Sequence, residues 1–201
     1  MKSDTLLIAT RNRDKVREIR TMLAALPVTI LTAADLEDVP EVEEDAPTLE
    51  GNAIKKAKTL FEATGLPTLA DDTGLEVEAL GGAPGVYSSR YSGPGATYED
   101  NVRKLLKAME HIPPGHRRAR FRTVVAFVHK GGIETVEGIC EGEITTAPRG
   151  TQNFGYDPVF FVPEVGKTMA EMTMEEKNRI SHRGRALRAM YPKLEAYFTH
   201  S

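Results

Sequence analysis

A buried strand that runs directly into an amphipathic helix near the start of the chain is the feature that most constrains the fold. Residues 6–9 form an uninterrupted apolar run, and residues 10–15 leave room only for a tight loop before a helical pattern begins. The apolar residues of that pattern recur at helical spacing: Val16, Ile19, Leu23 and Leu26. A strand, a tight loop and a helix in this order predict an α/β fold.

Similar patterns continue along the chain and predict a mixed α/β architecture without repeats. A second strand is predicted at residues 28–31, and a helix at residues 49–64 that ends at Gly65. A hairpin is predicted whose two strands are residues 119–129 and 133–141. Thr97, with Asp100 three residues later, is typical of the capped start of another helix. A short strand is predicted at 158–162, a helical turn at 174–178 and a final helix from Ser181 to Phe198.

Length and composition indicate one domain with a substantial core. The chain has 201 residues, of which 40% are hydrophobic and 27% charged, and its net charge is −3. No linker separates independent domains, so residues 1–201 are predicted to form a single domain. The mild acidity disfavours a wide nucleic-acid surface. No apolar run approaches the ~20 residues that are needed to cross a bilayer.

The protein is expected in a reducing cytoplasm. Its single cysteine, Cys140, excludes an internal disulfide framework. The first residues, Met1-Lys2-Ser3-Asp4, include an acidic side chain and precede only a handful of apolar residues. This is not the pattern of a secretion signal.

Two adjacent carboxylates, Asp71 and Asp72, form the first candidate site. They follow a strand predicted at residues 67–70 and precede a hydroxyl and a glycine, which gives the oxygen-rich corner that a hard divalent cation prefers. The same sequence is also an ordinary way to reverse the chain before a strand at residues 75–78. Taken alone, the turn is the favoured interpretation.

An acidic loop at residues 35–45 is a possible source of a second metal ligand. Most of its carboxylates should face water. Glu43 or Glu44 could fold back towards Asp72 and complete a metal site with it.

The loop between the first strand and the first helix is a candidate phosphate site. Its residues are Thr10, Arg11, Asn12, Arg13, Asp14 and Lys15. A helix N-terminus aims backbone N–H groups and the positive end of the helix dipole at one point, where Thr10, Asn12 and Lys15 add donors and charge. The alternative is a solvated loop with Asn12 as an N-cap. The pattern is neither a Walker P-loop nor a dinucleotide-binding motif.

A second loop carries two aromatic residues on either side of a glycine. Phe154 and Tyr156 could present a flat apolar face to a nucleobase, while Gly155 permits close approach of the backbone and Asp157 follows. The alternative is a pair of core aromatic residues that leads into the next strand.

Charged residues near the start of the last helix are a further candidate. Lys177, His182 and Arg183 concentrate donors suited to a carbonyl edge or a phosphate. In isolation, a solvated helix start is the favoured interpretation.

Five motifs in a fixed order carry a resemblance to a known family. They are Ala-Thr-Arg-Asn-Arg-Asp-Lys, Ala-Asp-Asp-Thr-Gly, Gly-Gly-Ala-Pro-Gly-Val-Tyr-Ser-Ser-Arg-Tyr-Ser-Gly, Phe-Gly-Tyr-Asp-Pro and Ser-His-Arg-Gly-Arg-Ala-Leu. Each motif is weak alone, but the ordered set is highly specific and spans almost the whole chain. In this set the chain resembles the inosine/xanthosine triphosphate pyrophosphatase family.

The resemblance implies Mg²⁺-dependent hydrolysis of a non-standard purine nucleoside triphosphate, such as ITP, dITP or XTP, to the monophosphate and pyrophosphate. This reaction removes deaminated purines from the nucleotide pool. The resemblance also implies an elongated, two-lobed, mixed-sheet α/β fold with a central active-site cleft, and a homodimer. No stable nucleic-acid partner and no membrane are expected.

The family's functional residues fall on matching positions of this sequence. The segment that grips the triphosphate falls on residues 10–15, and the catalytic carboxylate falls on Asp72, with Thr73 beside it contacting the substrate. The metal ligands fall on Glu44 and Asp72. The base-recognition set falls on Phe154, Gly155, Tyr156, Asp157, Lys177, His182 and Arg183.

Two positions depart from the family pattern without putting the assignment in doubt. Arg11 stands where many relatives have glycine, and Thr73 stands where serine is common. A basic cluster has no role in this interpretation and is expected to be a solvated strand edge or a subunit contact: His116, Arg117, Arg118, Arg120 and Arg122.

Two other functions stay open as alternatives. A related class of pyrophosphatases acts on modified pyrimidine nucleotides, but it lacks the Ser-His-Arg helix start. A non-catalytic nucleotide- or RNA-binding module would use the aromatic loop for stacking, and Asp72 would then be a liability near a polyanion.

Overall fold

The computed structural model describes residues 4–199. Residues 1–3, which contribute to the prediction that no secretion signal is present, lie outside the described residues. The helices are α1 (Arg13–Met22), α2 (Leu49–Thr64), α3 (Tyr98–Ala108), α4 (Met174–Ile180) and α5 (His182–Thr199). The strands are β1 (Thr5–Ile8), β2 (Thr29–Thr32), β3 (Thr68–Val77), β4 (Pro84–Gly85), β5 (Arg118–His129), β6 (Gly132–Ile144), β7 (Phe160–Val162) and β8 (Lys167–Thr168).

The chain divides into two compact units, each built from separate segments. Unit 1 contains the chain up to Asp72, residues Thr123–Gly138 and the chain from Arg183 onward. Unit 2 contains Thr73–Arg122 and Ile139–His182. The mixed α/β class is confirmed. The single domain over residues 1–201, the elongated shape and the central cleft stay predictions.

Unit 1 contains three strands that pair in parallel. Strand β1 pairs in parallel with β2 and β3, and the order of the strands is β2-β1-β3-β5-β6. Its core combines apolar side chains of α1, α5 and the strands: Leu6, Ile8, Ile19, Leu23, Leu26, Leu69, Val125, Phe127, Ala186, Leu187, Met190 and Leu194. The predicted first strand and first helix are thus confirmed, and both contribute to one core.

Unit 2 has its own core. Its strands follow the order β3-β5-β6-β7-β8, with β4 antiparallel to β3, and β7 lies antiparallel to both β6 and β8. Helix α3 contributes Val102 and Leu105, which pack with Phe121 and Phe160 of the strands. The predicted hairpin of residues 119–141 is confirmed as β5 and β6.

The predicted ends of two helices are confirmed by their caps. Thr48 accepts a hydrogen bond from the N–H of Gly51 at the start of α2, and Gly65 ends that helix in the left-handed conformation with φ of 71°. Thr97 and Asp100 form a capping box at the start of α3. No helix within residues 4–199 is long and apolar enough to cross a membrane.

The turn favoured at Asp71–Gly74 is wrong. Strand β3 runs without interruption from Thr68 to Val77, so both carboxylates lie inside a strand. Local turn propensity is overridden because apolar residues on both sides, Leu69 and Leu75, are each buried in a core.

The prediction that the whole basic cluster is a solvated strand edge or a subunit contact is wrong for Arg117. This side chain is buried, and its guanidinium donates to the carbonyl oxygens of Met109, Ile112, Ile144 and Thr145 at 2.7–2.9 Å. Arg117 therefore ties the segment after α3 to the end of β6 within unit 2.

Candidate active site

The two adjacent carboxylates of β3 have different partners because successive side chains of a strand point to opposite faces. Asp71 meets cations from α1 and α5, whereas Asp72 meets an amide and an ammonium from α2. Both carboxylates belong to unit 1, and both are buried. One short sequence therefore supplies two chemically distinct groups.

Asp71 is the centre of a buried ionic network. Its Oδ1 lies 3.4 Å from Lys15 Nζ, and its Oδ2 accepts from Nε and Nη2 of Arg183 at 3.2 Å each. Arg183 also pairs with the buried Glu18 of α1. Burial opposes ionisation, but Lys15, Arg183 and Lys56 together hold the pKa of Asp71 well below its usual range. Asp71 therefore stays a carboxylate and is a poor general base.

Asp72 is held by α2. Asn52 Nδ2 donates to Asp72 Oδ2 at 3.1 Å, and Lys56 Nζ lies 3.9 Å from Oδ1. Thr123 fixes the strand beside it by donating to the Asp72 carbonyl oxygen at 3.0 Å. Burial raises the pKa of Asp72, and the Glu44 carboxylate adds to this against the opposing effect of Lys56. A carboxylate with a raised pKa is suited to accept a proton.

Glu44 of the acidic loop also lies beside α2. Its Oε1 is 2.6 Å from Lys56 Nζ, and the same ammonium donates to the carbonyl oxygen of Asp71 at 2.5 Å. Burial opposes ionisation of Glu44, but Lys56 lowers its pKa below the ordinary value. The loop therefore brings a second ionised carboxylate to the ammonium that lies beside Asp72.

The loop at residues 10–15 contains the predicted N-cap, and its role as a phosphate site stays a prediction. Asn12 is the N-cap of α1, since its Oδ1 accepts from the N–H groups of Asp14 and Lys15 at 3.0 and 3.2 Å. Thr10 Oγ1 accepts from the N–H of Asn12 at 3.1 Å. The cap engages two of the backbone donors that were expected to face phosphate. The charge of this loop nearest to the carboxylates is therefore the side chain of Lys15.

The charged side chains of the same loop differ in their surroundings. Arg11 and Arg13 are exposed, and Asp14 pairs with Arg17 at 3.3 Å along the helix. Burial lowers the pKa of Lys15, an effect that Asp71 opposes. Lys15 is the member of the loop that joins the ionic network of Asp71.

Unit 2 holds the aromatic loop. Tyr156 is buried in the core, and its hydroxyl donates to the carbonyl oxygen of Ser88 at 2.6 Å. Burial raises the pKa of this hydroxyl. Gly155 has a φ of 57°. Phe154 is half-buried and packs edge-to-face with Tyr98, with 5.7 Å between the ring centres. Of the two aromatic residues of this loop, Phe154 is thus the less buried.

Two further members of the predicted base-recognition set, Lys177 and His182, each contact an aromatic ring of unit 2. Lys177 Nζ lies 4.7 Å from the centre of the Phe154 ring and 2.6 Å from Asp157 Oδ2. His182 stacks on Phe121 at 4.5 Å between ring centres and is buried. Within unit 2, a cation, a carboxylate and an aromatic ring are thus brought together.

The chain is similar to known proteins in both its sequence and its fold. The sequence profile of the Ham1 family matches residues 6–193. The chain belongs to the Ham1 family. A dITP/XTP pyrophosphatase of Geobacter sulfurreducens is 54% identical over 183 residues, covering 90% of this chain and 92% of that protein. A dITP/XTP pyrophosphatase of Thermus thermophilus is 53% identical over 193 residues, covering 96% of this chain and 91% of that protein.

A solved Ham1 structure agrees with the fold. The HAM1 protein of Coxiella burnetii superposes with a TM-score of 0.85 at 39% identity and covers 100% of both chains. The predicted membership of this family is confirmed, and the similarity extends over nearly the entire chain.

Three residues of the Ham1 site were missed by sequence reasoning. Asn52 and Lys56 are one helical turn apart on α2 and both reach Asp72, while Glu18 pairs with Arg183. The only signal was their position beside the apolar stripe of a helix, which is also where ordinary half-buried polar residues lie.

The residues of unit 1 fit the divalent cation that the resemblance implies. Lys56 lies between Glu44 and Asp72, so an ammonium occupies the place where two carboxylates concentrate negative potential. Mg²⁺ is usually held by one or two carboxylates together with substrate phosphates. Within residues 4–199 no three His, Cys, Asp or Glu side chains form a complete metal cage. A metal at this pair would complete its coordination with oxygen atoms of water or substrate.

Proposed function

We propose that this Ham1 protein is a Mg²⁺-dependent pyrophosphatase that hydrolyses non-standard purine nucleoside triphosphates such as dITP, XTP and ITP. The products are the nucleoside monophosphate and pyrophosphate. The observation that carries the proposal is the pairing of Glu44 and Asp72 around Lys56, next to the buried network of Asp71 and Lys15. Relatives above 50% identity that are named dITP/XTP pyrophosphatases support the substrate class.

Three residues of unit 1 have different roles in the proposed reaction. Asp72 positions the attacking water and takes its proton. Lys15 places positive charge against the developing charge of the leaving pyrophosphate. Glu44 and Asp72 would hold Mg²⁺, which supplies charge neutralisation on the phosphate oxygens.

Arg183 has a positioning role in this proposal. Three of its nitrogen atoms bind Asp71 and Glu18, so its donors stabilise the network that holds Lys15. Its role in base recognition stays a prediction.

Base selection is proposed to rest on donors. Hypoxanthine and xanthine have an acceptor oxygen at position 6, where adenine has an amino donor. ATP would present an amino donor instead of an acceptor to a donor such as Lys177 or His182, and mismatches of this kind can reject an analogue by about 10⁴-fold. Phe154 would stack on the ring, and Thr73 would contact the substrate as in the family pattern. GTP also has the 6-oxo group, so its exclusion depends on the 2-amino group.

The homodimer and the cytoplasmic location are further parts of the proposal. The first is supported by the family resemblance, and the second by the single cysteine, which suits a reducing compartment. Light scattering of the purified protein tests the homodimer. A molar mass near twice the 22.1 kDa of one chain supports it, and a value near one chain contradicts it.

The deciding experiment measures pyrophosphate release from dITP, XTP, ITP, GTP and ATP, with Mg²⁺ and with a chelator. We expect rapid release from the first three nucleotides only when Mg²⁺ is present. A modified pyrimidine triphosphate is included as a competing substrate. Equal rates for ATP and dITP, or undiminished release in the chelator, would contradict the proposal. Nucleotide binding without any turnover would instead support a binding module.

A further inference from the structure

Asn52 of α2 connects the two proposed metal ligands. Its side chain has no exposed surface, and its amide makes hydrogen bonds in two directions. Nδ2 donates to Asp72 Oδ2 at 3.1 Å, while Oδ1 accepts from the backbone N–H of Ala46 at 2.9 Å. Ala46 comes two residues after Glu44. A single side chain therefore contacts one ligand directly and the backbone next to the other.

The segment that carries Glu44 is seated closely on the first turns of α2. A Cβ added at Gly51 would lie 2.9 Å from the Cβ of Ala46, so the chain approaches the helix at a distance that only glycine allows. Lys55 Nζ donates to the carbonyl oxygen of Glu43 at 2.8 Å. The position of Glu44 is thus set by its docking on α2 as well as by its own ion pair.

We propose that Asn52 is a positioning residue that fixes the spacing and orientation of the Glu44 and Asp72 carboxylates. The inference rests on the proposed function. By holding Oδ2, the amide turns Oδ1 of Asp72 towards Lys56 and Glu44. An amide does not titrate, so it holds this orientation without adding charge to a crowded anionic site. Loss of a group that orients a metal ligand in this way typically costs about 10- to 100-fold in metal affinity or activity.

The chain offers a matched control for a purely structural role. Asn101 is the fourth residue of α3, as Asn52 is of α2, and it is also buried. Its Oδ1 accepts from the N–H of Ser92 at 2.9 Å, and its Nδ2 donates to the carbonyl oxygen of Ser89 at 3.0 Å. Both asparagines anchor the segment before their helix. Only Asn52 also binds a carboxylate.

The test compares Asn52→Ala with Asn101→Ala in three measurements. These are the melting temperature, kcat and KM for dITP, and the calorimetric affinity for Mg²⁺ in the presence of a non-hydrolysable dITP analogue. Both variants should melt at lower temperature. Asn52→Ala alone should lose about 10- to 100-fold in kcat and in Mg²⁺ affinity, with a KM close to that of the wild type. If Asn52→Ala does not fold, Asn52→Ser and Asn101→Ser replace the pair.

Equal losses of kcat in the two variants, or an unchanged Mg²⁺ affinity in Asn52→Ala, would overturn the inference. Failure of the proposed function looks different, because the wild-type protein itself would then release no pyrophosphate. The calorimetric measurement still reports on Asn52 in that case, since it does not depend on turnover.

Discussion

At the scale of single residues, two neighbouring aspartates acquire opposite protonation behaviour from their surroundings. Asp71 is surrounded by Lys15, Arg183 and Lys56, which outweigh burial and hold its pKa low. Asp72 lies one residue later, where burial and Glu44 outweigh Lys56 and raise its pKa. In the proposed function, the first residue therefore organises cations and the second accepts a proton.

Replacing Asp72 by asparagine should separate activity from stability. The variant keeps the side-chain volume, so nucleotide binding should persist while kcat falls by about 10²–10⁴-fold for loss of a general base. Because the pKa of Asp72 is raised in the fold, the fold disfavours the ionised form, and the neutral variant should melt at a higher temperature at pH 7. Calorimetry and steady-state kinetics check both. Near-normal turnover would contradict the catalytic role.

Replacing Asp71 by asparagine should instead destabilise the protein. The change leaves the buried Arg183 and Lys15 without the charge that compensates them, which costs about 3–5 kcal/mol in the free energy of unfolding. Urea denaturation measures this cost. The control is Glu62→Gln, whose partner Lys58 is 3.8 Å away in an exposed pair, and which should cost less than about 0.5 kcal/mol.

The loss of stability in Asp71→Asn should depend on pH in a defined direction. A carboxyl whose pKa is lower in the folded than in the unfolded state stabilises the fold above its unfolded pKa of about 3.9. That contribution is lost as the pH falls through the folded pKa, which lies well below the usual range for Asp71. The difference in unfolding free energy between wild type and Asp71→Asn should therefore shrink below about pH 4. A constant difference would show that charge is not the cause.

At the scale of elements, sequence patterns predicted the features that short-range interactions determine. They missed a strand that depends on tertiary contacts. The extent of α2 followed from its apolar stripe and from Gly65 at its end. The Asp71–Gly74 segment was assigned to a turn by its local composition, yet it is part of β3 because flanking residues are buried in two cores. Helix caps are short-range interactions, whereas the continuity of a strand depends on distant partners.

The end of α2 provides a test at this scale. Gly65 has a φ of 71°, a conformation that costs a residue with a side chain about 1–2 kcal/mol. Gly65→Ala should therefore destabilise the protein by that amount without changing KM, because no atom lies within 4 Å of the added methyl group. Thermal unfolding measures the loss of stability, and steady-state kinetics measures KM. A change in KM would show that the helix end affects the site.

At the scale of the whole molecule, the ordered set of motifs predicted the family, and the family profile confirms it over residues 6–193. The motifs could not predict which motif residues are buried in networks. Tyr156 and Arg183 belong to motifs, yet one is a core residue and the other is held by Asp71 and Glu18. Burial depends on contacts between distant parts of the sequence, such as the 112 positions that separate Arg183 from Asp71.

The most direct measurement is the anomalous scattering of Mn²⁺ in crystals grown with a non-hydrolysable dITP analogue. We predict a single strong peak about 2–2.3 Å from carboxylate oxygens of Asp72 and Glu44, with Lys56 displaced from between them. In Asp72→Asn crystals the peak should weaken or vanish. A metal peak that touches neither carboxylate in the wild-type crystals would contradict the account.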